Sequence, residues 1–135
     1  MLLDDLASLI EGGGIATFGT DLYAGGLPET PEEAVALIET AGREGKHVFG
    51  QALPAIEYPR VRIVARGTPN DYETPRNTIE AIYQLLVQRS AETVAGGARY
   101  LSWDPIQPPY QLGKDKNERW MLGFNVEVYK EVSSL

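Results

Sequence analysis

The apolar positions of this chain follow two periods, one helical and one extended. Near the N-terminus Leu2, Leu3, Leu6, Leu9 and Ile10 mark one face, with Asp4, Asp5 and Ser8 on the other. That spacing predicts a short amphipathic helix over residues 2–11. Gly12, Gly13 and Gly14 end it. A second helical stripe, Ile79, Ile82, Tyr83 and Leu86, predicts the longest helix, with Arg76, Glu80, Gln84 and Gln88 largely off the stripe. Its start has two readings. Asp71 is a good N-cap, but Thr74 as N-cap puts Pro75 at the first helical position, where its missing N–H has no partner to lose. The helix is taken from about Tyr72, with an irregular first turn.

The extended period is clearest over residues 120–130. Trp120, Leu122, Phe124, Val126 and Val128 point one way, and Met121, Gly123, Asn125, Glu127 and Tyr129 the other. A slip of one residue would put five large apolar groups in water, so the register should be firm. Residues 61–65 form a strand in which Arg62 and Arg66 alternate with Val61, Ile63 and Ala65. Residues 98–104 form another, with Arg99, Leu101 and Trp103 against Tyr100 and Ser102, and should pair antiparallel with 120–130. A short strand is expected at 21–24, closed by Gly25 and Gly26.

Residues 29–42 read both ways. Thr30-Pro31-Glu32-Glu33 is formally a capping box with proline at the first helical position, and Gly42 could stop a helix. Residues 34–38 are also a short unbroken apolar run that fits a buried strand. Local grammar favours helix slightly. Residues 43–59 show no sustained period and read as a long loop with at most a short strand at 47–51; such loops are usually functional or mobile. Residues 90–97 read as a loop, and 104–118 as a proline-containing excursion with a turn at 113–117.

The order α-β-β-β-α-β-β, strands in runs and helices segregated, predicts an α+β fold: a mostly antiparallel sheet with two helices on one face. The length of 135 residues suits one domain, 1–135, with a core that needs no staples. There is no cysteine, which excludes disulfides and thiolate metal sites. No apolar run reaches the ~20 residues of a membrane helix, and the N-terminal stretch carries acids where a signal peptide needs bases. A cytosolic site of synthesis is expected. With 12 bases against 19 acids the net charge is −7, which makes DNA or an anionic membrane a poor partner over a broad surface.

Candidate chemistry is sparse. The acid pairs Asp4/Asp5, Glu32/Glu33 and Asp71/Glu73 sit at helix starts or turns, where negative charge is structurally favourable. The glycines at 12–14 follow a helix rather than a strand, with Thr17 in place of a third spaced glycine, so they do not make a dinucleotide fingerprint. His47 is the only histidine and has no His or Cys to join it in a metal site or triad. No catalytic residue, metal or cofactor is expected. Contact equipment is plentiful: seven tyrosines and two tryptophans, with Tyr23, Tyr58 and Tyr110 placed in loops.

Three pieces of the chain carry a resemblance. They are PEEAVALIETAG, YPRVRIVARGTPNDYETPRNTIEAIYQLL, and RYLSWDPIQPPYQLGKDKNERWMLGFNVEVYKE with its PP, LGKD and FNVEV segments. In this order and spacing, behind a short N-terminal helix, the chain resembles the minor capsid or tail-terminator (tail-completion) proteins of long-tailed bacteriophages. The resemblance makes the AVALIE-like segment a strand. It implies a six-membered ring that caps the tail tube, stops its polymerisation and offers a surface for head docking. The implied partners are further copies of the chain, the tail tube protein and the head–tail connector, within the virion, with no sequence-specific nucleic acid binding and no membrane. No catalytic residues are transferred. DNA would pass through the lumen, where an acidic wall makes sense of the charge.

A ring needs a heterologous contact, one patch meeting a different patch on the next copy. The expected contact residues are Arg62, Arg66, Arg76 and Glu80, on the 60–66 strand and the long helix. Two other readings stand beside this one. A neck or head-completion protein would bind the connector rather than the tube. A small-molecule-binding module would use 43–59 as a lid over a deep pocket.

Overall fold

The computed structural model describes residues 2–47, 54–87, 92–93 and 99–131. Its order is α1 (Leu2–Gly12), β1 (Leu22–Ala24), β2 (Ala34–His47), β3 (Pro54–Pro69), α2 (Glu73–Val87), β4 (Glu92–Thr93), β5 (Arg99–Pro105), β6 (Tyr110–Lys114) and β7 (Arg119–Glu131). The strands make one seven-stranded sheet with the path β1-β2-β3-β7-β5-β4, while β6 also pairs with β7. Among the described strands, the pairings are antiparallel except β1 with β2. The α+β class and the order of the main elements are as the pattern predicts.

β7 is the spine. One of its edges pairs with β3 through Val61↔Val126, Ile63↔Phe124 and Ala65↔Leu122. The other edge is shared: β6 takes the N-terminal part, with Gln111↔Leu122, and β5 takes the C-terminal part, with Trp103↔Val128. Opposed residues of a ladder point to the same face. Val35, Leu37, Val61, Ile63, Leu122, Phe124, Val126, Val128 and Trp103 therefore share one face, and they are buried there under both helices. α1 contributes Leu2, Leu3, Leu6, Ala7 and Ile10, and α2 contributes Ile79, Ile82 and Leu86. Each such side chain gains roughly 1.5–3 kcal/mol from leaving water. No described helix lies on the sheet's opposite face.

The ambiguous segment 34–40 is strand, because its apolar run pairs residue for residue with 60–66 of β3. Tertiary pairing overrides the capping-box grammar. The start of α2 is resolved too. The Asp71 side chain accepts the Thr74 N–H at 3.2 Å, and Pro75 lies inside the first turn, where no intrahelical bond is lost.

Several expectations are corrected. Residues 43–47 and 54–59 belong to β2 and β3, so most of the expected long loop is a continuation of the hairpin. Of the strand expected at 47–51, only His47 lies among the described residues, as the last residue of β2. Three register shifts between Thr40 and His47 let a glycine- and charge-rich sequence stay paired without a clean alternation. The 104–118 excursion contains β6, and its turn falls at 115–118, where the Asp115 carboxylate accepts the N–H groups of Asn117 and Arg119. Glu92 and Thr93, inside the expected 90–97 loop, form β4; the rest of that loop lies outside the described residues. A shift in β5 between Tyr100 and Ser102 puts Tyr100 on the core side with Trp103, their ring centroids 4.5 Å apart, instead of on opposite faces. Tyr23, Tyr58 and Tyr110 are in strands, not loops.

Asp5 is not on the polar face of α1. It is 8% exposed and accepts the hydroxyl proton of buried Tyr100, tying α1 to β5. Burial, then the hydrogen bond and negative charge of Asp5, push the Tyr100 phenol well above its usual pKa.

Candidate assembly interface

The helix-free face of the sheet carries most of the charged groups that β3 and β7 present. Its rows, read across the sheet, are Ile38–Arg62–Asn125 and Thr40–Arg60–Glu127–Asp104. Arg60 gives two hydrogen bonds to one Glu127 carboxylate oxygen, at 3.1 and 2.9 Å. The half-buried Arg62 reaches Asn125 at 3.3 Å. Arg60 and Arg62 sit on β3, toward the β2 edge, whereas Glu127 and the exposed Asp104 sit on β7 and β5, toward the other edge. The face is thus positive on one side and negative on the other.

Arg66 is on the same strand but in a different state. It is 5% exposed, and its guanidinium donates to the carbonyls of Glu32 at 2.9 Å and Pro31 at 2.8 Å, and to those of Pro28 and Glu29. Burial, with the like charge of Arg119, draws its pKa below the ordinary value. Arg119 is buried beside it and binds Asp115 at 2.8 Å and the Glu29 carbonyl at 2.8 Å. Burial pushes the Asp115 carboxyl up, but hydrogen bonds from the Arg119 and Asn117 amides and the Arg119 side chain outweigh it, so its pKa lies below the usual value. These two arginines fasten the 28–32 segment to β3 and β7. Reaching several separate acceptors from one side chain suits the planar, many-donor guanidinium of arginine. Arg66 is therefore taken up inside the chain.

Arg76 and Glu80 lie on the helical side. They pair with each other at 3.6 Å, and Arg76 also donates to the Pro109 carbonyl at 3.1 Å. The four residues expected at the contact are not one patch: Arg62 and Arg66 are separated from Arg76 and Glu80 by the thickness of the sheet. Arg60 and Asp104 stand on the same helix-free face as Arg62, and neither is among the residues expected at the contact. The signal for Arg60 was its place two residues before Arg62, had the strand been extended back through Pro59.

Among the described residues, no group of three or more His, Asp or Glu could hold a metal. Surface hollows of about 130 Å³ beside Asp21, Glu33 and Arg66, and of about 300 Å³ beside Leu2, Glu39, Glu57 and Lys130, open between elements. They are at or below the small end of the range for ligand pockets, roughly 300–1,000 Å³. Exposed large apolar side chains include Ile106 before β6, Tyr110 at its first position, Tyr72 just before α2, and Phe18 after α1.

Nine chains of solved structures match the fold. One of them belongs to the virion of a native gene transfer agent particle and superposes with a TM-score of 0.58 at 15% identity. The match covers 94% of this chain and 84% of that one; at this identity it shows a shared fold. No curated protein matches the sequence. The family model described as bacteriophage tail terminator protein matches residues 9–132. This chain, a structural protein of phage tails, belongs to the bacteriophage tail terminator family.

Proposed function

We propose that copies of this chain form a ring, six-membered as the resemblance implies, on the end of the tail tube. The ring stops tube polymerisation and presents a surface to the head–tail connector. The observation that carries this reading is the family match across residues 9–132, which takes in every strand and α2. The rest of the molecule is consistent with it. Arg60 with Glu127, and Arg119 with Asp115, are paired within the chain, and the net charge of −7 discourages lasting contact with DNA passing nearby.

The test is a phage or prophage lacking this gene. Its tails should be of uncontrolled length and unjoined to heads, and adding the purified protein should restore length and joining. Binding of the protein to purified tail tubes, and not to isolated heads, separates a terminator from a neck protein. Tails of normal length joined to heads in the absence of the gene would overturn the reading.

A further inference from the structure

Among the described residues, the sheet has open strand edges at both of its ends. On the outer side of β2, β1 pairs only at Val35, Ala36 and Leu37. From residue 38 on, no described strand pairs with that side, and Glu39, Thr40, Ala41 and Gly42 are exposed. At the far end, β4 pairs with β5 only at Arg99 and Tyr100. Residues 101–104 have β7 on one side and no described strand on the other. Open edges present rows of unpaired N–H and C=O groups, which any strand of the right direction can satisfy.

The directions match. β2 runs antiparallel to β3, β3 to β7, and β7 to β5, so β2 and β5 run in opposite directions. Copies in a ring are related by rotation, and rotation about an axis along the strands leaves strand direction unchanged. The β5 edge of one copy then meets the β2 edge of the next antiparallel, with no subunit turned over. The contact is heterologous, as ring closure demands. The charges fit as well. Asp104 on the β5 edge would come within two strand spacings, roughly 10 Å, of Arg62 and Arg60 on the neighbour's β3. That joins the negative side of one helix-free face to the positive side of the next.

We propose that residues 101–104 of one subunit pair antiparallel with residues 38–42 of the next, so that the sheet continues from copy to copy. The proposal rests on the ring reading above and specifies its contact. Both helices then lie on the same side of the continuous sheet in every copy.

The chain has no cysteine, which makes cross-linking clean. Ile38 and Thr40 share the helix-free face with Ser102 and Asp104, so cysteines there can oppose one another across the joint. Four double variants combine Ile38→Cys or Thr40→Cys with Ser102→Cys or Asp104→Cys, covering the neighbouring registers. Each is oxidised at high concentration and on tubes of the tail tube protein, then separated under denaturing, non-reducing conditions. At least one pairing should give a ladder of covalent multimers up to the full ring, and no single variant should give one. Rings seen by electron microscopy with none of the four pairings cross-linked would overturn the edge contact and leave the ring reading intact. No oligomer under any of these conditions would overturn both.

Discussion

The most consequential single side chain is Tyr100. It is fully buried, stacks near Trp103, and its hydroxyl reaches the one acid of α1 that is turned inward. Removing only the hydroxyl by Tyr100→Phe keeps the ring in the core and strands the Asp5 carboxyl. A buried acceptor without its donor costs about 1–3 kcal/mol, so urea unfolding at pH 7 should show the variant less stable by that amount. The difference should depend on pH in a definite direction. The folded chain holds the Tyr100 proton more tightly than the unfolded chain, whose phenol titrates near ~10. The stability this group contributes is complete below that pH and is lost as pH rises above it toward the raised folded value. The gap between wild type and Tyr100→Phe should therefore be widest near neutrality and narrow at pH 11. A gap that stays constant would mean the phenol is not shielded as its burial indicates.

At the scale of elements, the β3–β7 pair is central to the sheet, and at Gly123 it leaves no room for a side chain. A Cβ at this position would lie 2.5 Å from the Ile63 carbonyl oxygen on the facing strand. Gly123→Ala must push β3 and β7 apart at the centre of the sheet, and overpacking of this kind costs roughly 1–3 kcal/mol. The thermal midpoint should fall accordingly, with a larger loss than for Gly26→Ala, where a Cβ meets open space; equal midpoints would sink the prediction. That tightness explains what was legible beforehand. β7 could be read from its alternation, and α2 from its stripe, because both bury one whole face and leave a periodic record. The outer halves of β2 and β3 left no such record. Their register shifts break the period, and Gly42 packs against the Tyr58 carbonyl, so a turn-forming residue serves as a strand residue. β6 hid for a related reason, being a five-residue strand between prolines and a turn. The contacts of Asp5 with Tyr100 and of Arg66 with the 28–32 segment join residues 95 and more than 30 positions apart, which no local period can signal. The candidate face was half legible. Arg62 could be placed on it from alternation along its strand, but Asp104 belongs to an edge that exists only once the strand order is known.

At the scale of the whole molecule, charge and contact oppose each other, and salt should separate them. Each copy carries a net −7, so neighbours in the proposed ring would repel as bodies, while the proposed joint would set Asp104 near Arg60 and Arg62. The two effects have different ranges. At 0.01 M salt the screening length is about 30 Å, comparable to a subunit, and the net repulsion acts between whole copies. At 0.15 M it is about 8 Å, which removes most of that repulsion and weakens, without abolishing, the attraction across the roughly 10 Å of the joint. At 1 M it is about 3 Å, and the exposed pairs at the joint are screened too. The population of rings should thus be greatest near physiological salt and lower at both extremes, as read by sedimentation velocity at fixed protein concentration. A steady rise through 1 M would mean that the joint is held without charge complementarity, by backbone pairing and apolar contact alone. A steady fall from 0.01 M would mean that the local attraction outweighs the net repulsion even when that repulsion is fully felt. Only the maximum at intermediate salt is expected if both act, because only then does the longer-ranged term disappear first.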